Sequence, residues 1–157
     1  DPPASDNIIF TFHFYEPLLF THQKAHWVPN ISMDDVPYPD TMEYYKALSE
    51  KMGMQGSVAV MSKAETMGPE FIKEMVDQAV EAARNAGVPL YCGEFGVIDQ
   101  APTPDTLRWF ADTVSVFDEY GIAHAMWTYK EKDFGLIGRH YEPIRDDLIR
   151  ILTGKNQ

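Results

Sequence analysis

From Asn7 to Tyr15 the chain alternates. Ile8, Phe10, Phe12 and Phe14 fall on one side of an extended backbone, and Ile9, Thr11, His13 and Tyr15 on the other. The first set is apolar throughout, whereas the second turns polar toward its carboxyl end. A strand that packs on helices by one side and opens into a site on the other has this gradient. Pro69–Ala86 carries a different period: Phe71, Ile72, Met75, Val76, Ala79, Val80 and Ala83 form one stripe at helical spacing. Pro69 suits the first turn of that helix and Gly87 the position past its end. The apolar run Val88–Glu94 follows as a second strand. Thr103 is then expected to cap a helix with Pro104 at its first position. That helix runs to about Tyr120 with Leu107, Phe110, Ala111, Val114 and Phe117 inward, and stops at Gly121. Ile122–Tyr129 reads as a third strand and Glu142–Leu152 as a closing helix.

The segment between the first strand and the first long helix is less regular. Pro17–Asp40 is interrupted by Pro29, Pro37 and Pro39, and loops of that length in compact domains usually carry function. Thr41–Lys51 suits a short helix capped by Thr41, with Gly53 beyond its end. Gly56–Met67 shows no decisive period. Strands alternating with helices predict an α/β chain with parallel pairing and right-handed crossovers. Three strands are too few to close a barrel, so their free edges must be covered.

Composition narrows the function. The 157 residues suffice for one globular unit spanning 1–157, and 45% hydrophobic residues exclude a disordered chain. A net charge of −11 disfavours nucleic acid and anionic membrane surfaces, and leaves a neutral polymer such as a polysaccharide. No run reaches the ~20 apolar residues of a membrane span. Asp1-Pro2-Pro3 lacks the charged and apolar regions of a signal peptide, as the mature form of a secreted protein would. The single cysteine, Cys92, excludes an internal disulfide.

Glu94 is the leading chemical candidate. It ends the second strand within Gly93-Glu94-Phe95-Gly96, where flanking glycines let a ligand approach the backbone. Barrels of the (β/α)8 type build their sites at strand carboxyl ends. His13 and Tyr15 share a face at the end of the first strand, and a Tyr hydroxyl favours the ionised form of a carboxylate it bonds. Trp127 ends the third strand above Ala123 and Ala125, which leaves room for a flat sugar platform. Lys130 and Asp133 follow at a cleft edge. Trp27 lies in the long loop with His22 and His26 and suits a cleft wall. His22 and His26 are separated by four, but no further ligand accompanies them, so no metal is expected, nor any cofactor. Cys92, two residues before Glu94, is expected on the same strand face as a small buried residue. Glu16 reads as a loop carboxylate and Trp109 as packing.

Five segments occur in order: His13-Phe14-Tyr15-Glu16-Pro17, Phe20-Thr21-His22-Gln23, Gly93-Glu94-Phe95-Gly96, Trp127-Thr128-Tyr129-Lys130 and Phe134-Gly135. Together they resemble glycoside hydrolase family five, the cellulase-type enzymes. The resemblance implies a (β/α)8 barrel of retaining endo-glycosidases acting on β-linked glucans and mannans. It implies Glu94 as nucleophile at the end of the seventh strand. His13 would contact sugar and Tyr15 hydrogen-bond the nucleophile, both from the sixth strand, and Trp127 would be the platform of the eighth. It also implies a secreted protein.

The same resemblance implies a departure. The family's acid/base Glu follows Asn in an Asn-Glu-Pro pattern on the fourth strand, and no such tripeptide occurs here. A substrate-binding Arg on an early strand is missing too. A whole barrel takes about 250 residues. The chain is therefore expected to be the C-terminal portion, strands six to eight with their helices, lacking roughly 100 or more N-terminal residues that form strands one to five. Its expected function is that of a retaining endo-β-1,4-glycanase, an endoglucanase acting on β-glucan or a related polysaccharide. It would supply the nucleophile and part of the sugar site, and be inactive without the complementary N-terminal half. The alternatives are a non-catalytic carbohydrate-binding remnant and a self-associating partial barrel made of copies of the same chain.

Overall fold

The computed structural model describes residues 7–154. Strands β1 (Phe10–Phe14), β2 (Leu90–Phe95) and β3 (Ala123–Met126) form one parallel sheet in the order β1-β2-β3. Between β1 and β2 lie a short α1 (Leu18–Thr21), α2 (Met42–Ser49), a 3-10 stretch (Glu50–Gly56), α3 (Ser57–Met61) and the long α4 (Pro69–Ala86). Helix α5 (Thr103–Tyr120) joins β2 to β3, and a 3-10 turn (Glu142–Ile144) leads into α6 (Arg145–Thr153).

Helix α4 has the bounds its punctuation predicts, with Gly87 left-handed at φ 67° past its end. Thr41 caps α2, its hydroxyl accepting from Tyr44 N–H at 3.2 Å. Two expectations for α5 are corrected. Pro102, extended at φ −56° and ψ 127°, occupies the N-cap position, so Thr103 lies inside the helix and caps nothing. The buried stripe is Trp109, Phe110, Thr113, Val114, Val116 and Phe117, which leaves Ala111 exposed. The indole of Trp109, fully buried, takes the inward position and turns the smaller Ala111 out. The long loop after β1 is pinned from within by Gln23, whose buried amide donates to Phe20 and Val36 carbonyls and accepts from Val36 N–H.

The core fills one side of the sheet. Phe12, Phe14 and Phe95 all reach the Phe117 ring of α5, and Phe14 and Phe95 also meet Trp109. The other side of the sheet is open: Ile9, Thr11, His13 and Ala123 are exposed, Ile9 by 62%. Among the described residues β1 and β3 each leave one edge unpaired.

One irregularity in β2 decides the site. Phe12 pairs with Cys92, but His13 pairs with Glu94, so Gly93 is an extra residue. A one-residue slip moves side chains to the opposite face. Cys92 therefore lies on the helix side with Phe12, fully buried, and Glu94 turns to the open side with His13. The expectation that Cys92 and Glu94 share a face is overturned by this bulge. Burial pushes the Cys92 thiol up to about 12, and its S–H donates to Glu94 O at 3.2 Å.

Candidate active site

Glu94 stands at the carboxyl end of the middle strand with its side chain 28% exposed. Two side chains from the end of β1 converge on one of its oxygens. The Tyr15 hydroxyl donates to Glu94 Oε2 at 3.2 Å, and His13 Nδ1 lies 3.3 Å from the same atom. Among the described residues no hydrogen bond reaches Oε1. One carboxylate oxygen is thus held in place while the other remains available. Burial first, then the Glu94 charge and hydrogen bond, push the Tyr15 hydroxyl well above its ordinary range. It stays a donor at any working pH.

Trp127 follows β3 directly, 36% exposed, with its backbone N–H donating to Phe95 O at 2.9 Å. Its peptide bond to Thr128 is cis. The loop beyond it returns to the strand ends: Thr128 N–H donates to Phe134 O, and Asp99 N–H to Asp133 O at 2.7 Å. Lys130 is exposed and lies 3.5 Å from Glu131. Trp27, 45% exposed, meets His26 edge-on. Neither Lys130 nor Trp27 touches Glu94, His13 or Tyr15 among the described residues. His22 and His26 go to different neighbours, His22 to Tyr15 and Phe134, His26 to Trp27.

Glu16 is more than a loop carboxylate. Burial pushes its carboxyl up, opposed by Leu18 N–H donating to it at 3.1 Å. With His13, Val58, Met61 and Glu74 it lines a cleft of about 490 Å³ beside β1. Thr21, His22 and Phe134 also surround the site, though no role at Glu94 was expected of them. The segments Phe20-Thr21-His22-Gln23 and Phe134-Gly135 were the signals that pointed to them.

The strand end thus holds Tyr15 and His13 on one Glu94 oxygen, with Trp127 following the next strand. The model of the cellulase family, glycosyl hydrolase family 5, matches residues 1–133. The chain belongs to this family. Endoglucanase C of Acetivibrio thermocellus is 34% identical over 153 residues, covering 94% of this chain and 43% of that protein. Cellodextrinase A of Ruminococcus flavefaciens is 36% identical over 121 residues, covering 77% of this chain and 29% of that protein. A hyperthermophilic endo-β-1,4-glucanase solved in complex with substrate superposes with a TM-score of 0.62 at 25% identity, covering 99% of this chain and 42% of that one. Thermotoga maritima Cel5A, solved with mannotriose, gives 0.61 at 22% identity, covering 97% and 41%. The chain thus spans less than half the length of these proteins. Its three strands and their helices are part of the family's barrel.

Proposed function

We propose that this chain carries the nucleophile and the adjoining sugar-binding wall of a retaining endo-β-1,4-glycanase. The observation that carries this is the pinned Glu94: one oxygen held by Tyr15 and His13, the other free to attack. Retaining hydrolysis needs a second carboxyl group about 5–5.5 Å away to protonate the leaving oxygen and later activate water. No other carboxyl group contacts Glu94 among the described residues, and no Asn-Glu-Pro occurs in the sequence. The acid/base must then come from a complementary N-terminal portion of the barrel. That portion would pair with the free edges of β1 and β3 and cover the exposed Ile9 and Met61.

In this scheme Trp127 carries the sugar that is cleaved, and His13 binds its hydroxyls. Lys130 and Trp27 extend the cleft wall. The substrate is a β-1,4-glucan: the relatives are named as endoglucanases and a cellodextrinase, and a net charge of −11 suits a neutral polymer. A protein with this task works outside the cell, where such polymers lie. The open strand edges also favour a second arrangement, association of copies of this chain without catalysis.

Mixing tests the two. The chain alone is expected to release no reducing sugar from soluble β-1,4-glucan. The chain mixed with the N-terminal portion of a family 5 endoglucanase ending before its sixth strand is expected to form a 1:1 complex that hydrolyses it. Turnover by the pure chain, or a 1:1 complex with no turnover, contradicts the proposal. Self-association that excludes the added portion favours the second arrangement.

A further inference from the structure

Tyr15 is the first residue past the end of β1, so the strand ladder does not hold it. A phenol there can swing about two side-chain torsions, yet its hydroxyl must stay on Glu94 Oε2. Three neighbours fix it. The Thr21 hydroxyl, fully buried, donates to the Tyr15 carbonyl at 2.5 Å. The His22 ring meets the Tyr15 ring edge-on at 5.1 Å and 77°, and Phe134 meets it at 5.8 Å and 70°. His22 and Phe134 also contact each other at 5.2 Å.

Proton bookkeeping then assigns the imidazole. Thr21 has one hydroxyl proton, and it goes to the Tyr15 carbonyl. The 3.0 Å contact between Thr21 Oγ1 and His22 Nδ1 must therefore use an Nδ1–H donor. This closes a loop from the Tyr15 backbone through Thr21 and His22 to the Tyr15 ring. The loop is tied to the other two strand ends. Ile98 N–H, beyond β2, donates to Thr21 O at 2.9 Å, and Thr128 N–H, beyond β3, donates to Phe134 O at 3.2 Å. Burial lowers His22 to about 4, which keeps the ring neutral in this tautomer.

We propose that His22 is a positioning residue: with Thr21 and Phe134 it locks the Tyr15 ring so that its hydroxyl stays on Glu94 Oε2. The proposal rests on Glu94 being the nucleophile for its catalytic meaning, but its geometry can be read without turnover. The titratable groups acting on Tyr15 are Glu94 and Cys92, with His13 on the same Glu94 oxygen, and none of them is on α1 or is His22 just past its end.

The test is a titration of the chain labelled with [13Cζ]-tyrosine, with the Tyr15 signal assigned by Tyr15→Phe. In the wild type Tyr15 should ionise above the ordinary tyrosine value of about 10. In His22→Ala it should move down toward that value, and in His22→Phe, which keeps a ring, it should move back toward wild type. Phe134→Leu, a milder cavity, should shift Tyr15 in the same direction as His22→Ala. Unchanged Tyr15 titration in folded His22→Ala or Phe134→Leu overturns the proposal. In the reconstituted complex, His22→Ala should lower kcat by about tenfold to a hundredfold with little change in KM. Added to Tyr15→Phe it should cost nothing more, whereas fully additive losses overturn the proposal. A complex with no hydrolysis at all, but with the titration shifts present, sinks the glycanase assignment and leaves the positioning of Tyr15 standing.

Discussion

The Cβ that Gly96 lacks would fall 2.3 Å from the Trp127 carbonyl oxygen. The strand carrying Glu94 and the segment carrying Trp127 therefore cross at a separation that only glycine permits. The hydrogen bond from Trp127 N–H to Phe95 O keeps them there. The last glycine of Gly93-Glu94-Phe95-Gly96 sets where the indole stands relative to the carboxylate. Gly96→Ala should displace Trp127 and destabilise the chain by about 1–3 kcal/mol, the usual range for overpacking. Urea midpoints and the Trp127 share of the fluorescence, taken by difference from Trp127→Phe, report both effects. A wild-type midpoint with unchanged emission would refute the crossing.

Glu94 contributes to the elevation of Tyr15, after burial. Removing its charge with Glu94→Gln should let Tyr15 ionise at lower pH than in the wild type. It should still lie above the ordinary tyrosine value of about 10, because burial remains. The labelled tyrosine titration measures this, and no movement would mean the 3.2 Å hydrogen bond is not made in solution.

Alkali should destabilise the chain. Burial raises the hydroxyls of Tyr38, Tyr45 and Tyr141 above their ordinary range, and Asp112 adds to this at Tyr38. Their protons are held more tightly folded than unfolded. The stability they contribute is complete below the unfolded value of about 10 and falls as pH rises above it, by up to about 1.4 kcal/mol per pH unit for each group. Urea unfolding between pH 8 and 11 should show a flat region followed by this decline. Tyr141→Phe, which gives up the hydroxyl donated to Val97 O, should shallow the slope while lowering the plateau.

Trp127 is the exposed aromatic nearest in sequence to the end of β3, and a sugar ring needs its face. Trp127→Ala should weaken binding of cello-oligosaccharides to the reconstituted complex by about tenfold, a change near 1.4 kcal/mol. Calorimetric titration reads it directly. Equal affinity would place the cleaved sugar elsewhere.

Much of the fold was legible because its signals are local. The alternation in Asn7–Tyr15 gave both faces of β1, and Pro69 with Gly87 gave α4 its bounds. The site could be read as far as strand ends could, since Glu94, His13 and Tyr15 come together by parity and pairing. What stayed hidden depends on longer range. The extra residue at Gly93 follows from how β2 meets β1, which no single-strand pattern encodes, and it moved Cys92 to the other face. The hidden role of His22 has the same origin: its neighbour Phe134 lies more than a hundred residues on. The inward position of Trp109 over Ala111 was decided by what the sheet offered α5 to pack against.

Covalent trapping tests whether Glu94 is the nucleophile. An activated 2-deoxy-2-fluoro cellobioside with a dinitrophenolate leaving group needs little acid assistance, so it isolates the attacking carboxylate. Intact mass of this chain, taken from the reconstituted complex, should rise by one fluorocellobiosyl unit. Peptide mapping should place the adduct on Glu94, and Glu94→Gln should show none. An adduct on another residue, or hydrolysis of β-1,4-glucan with inversion of the anomeric centre, would contradict the account.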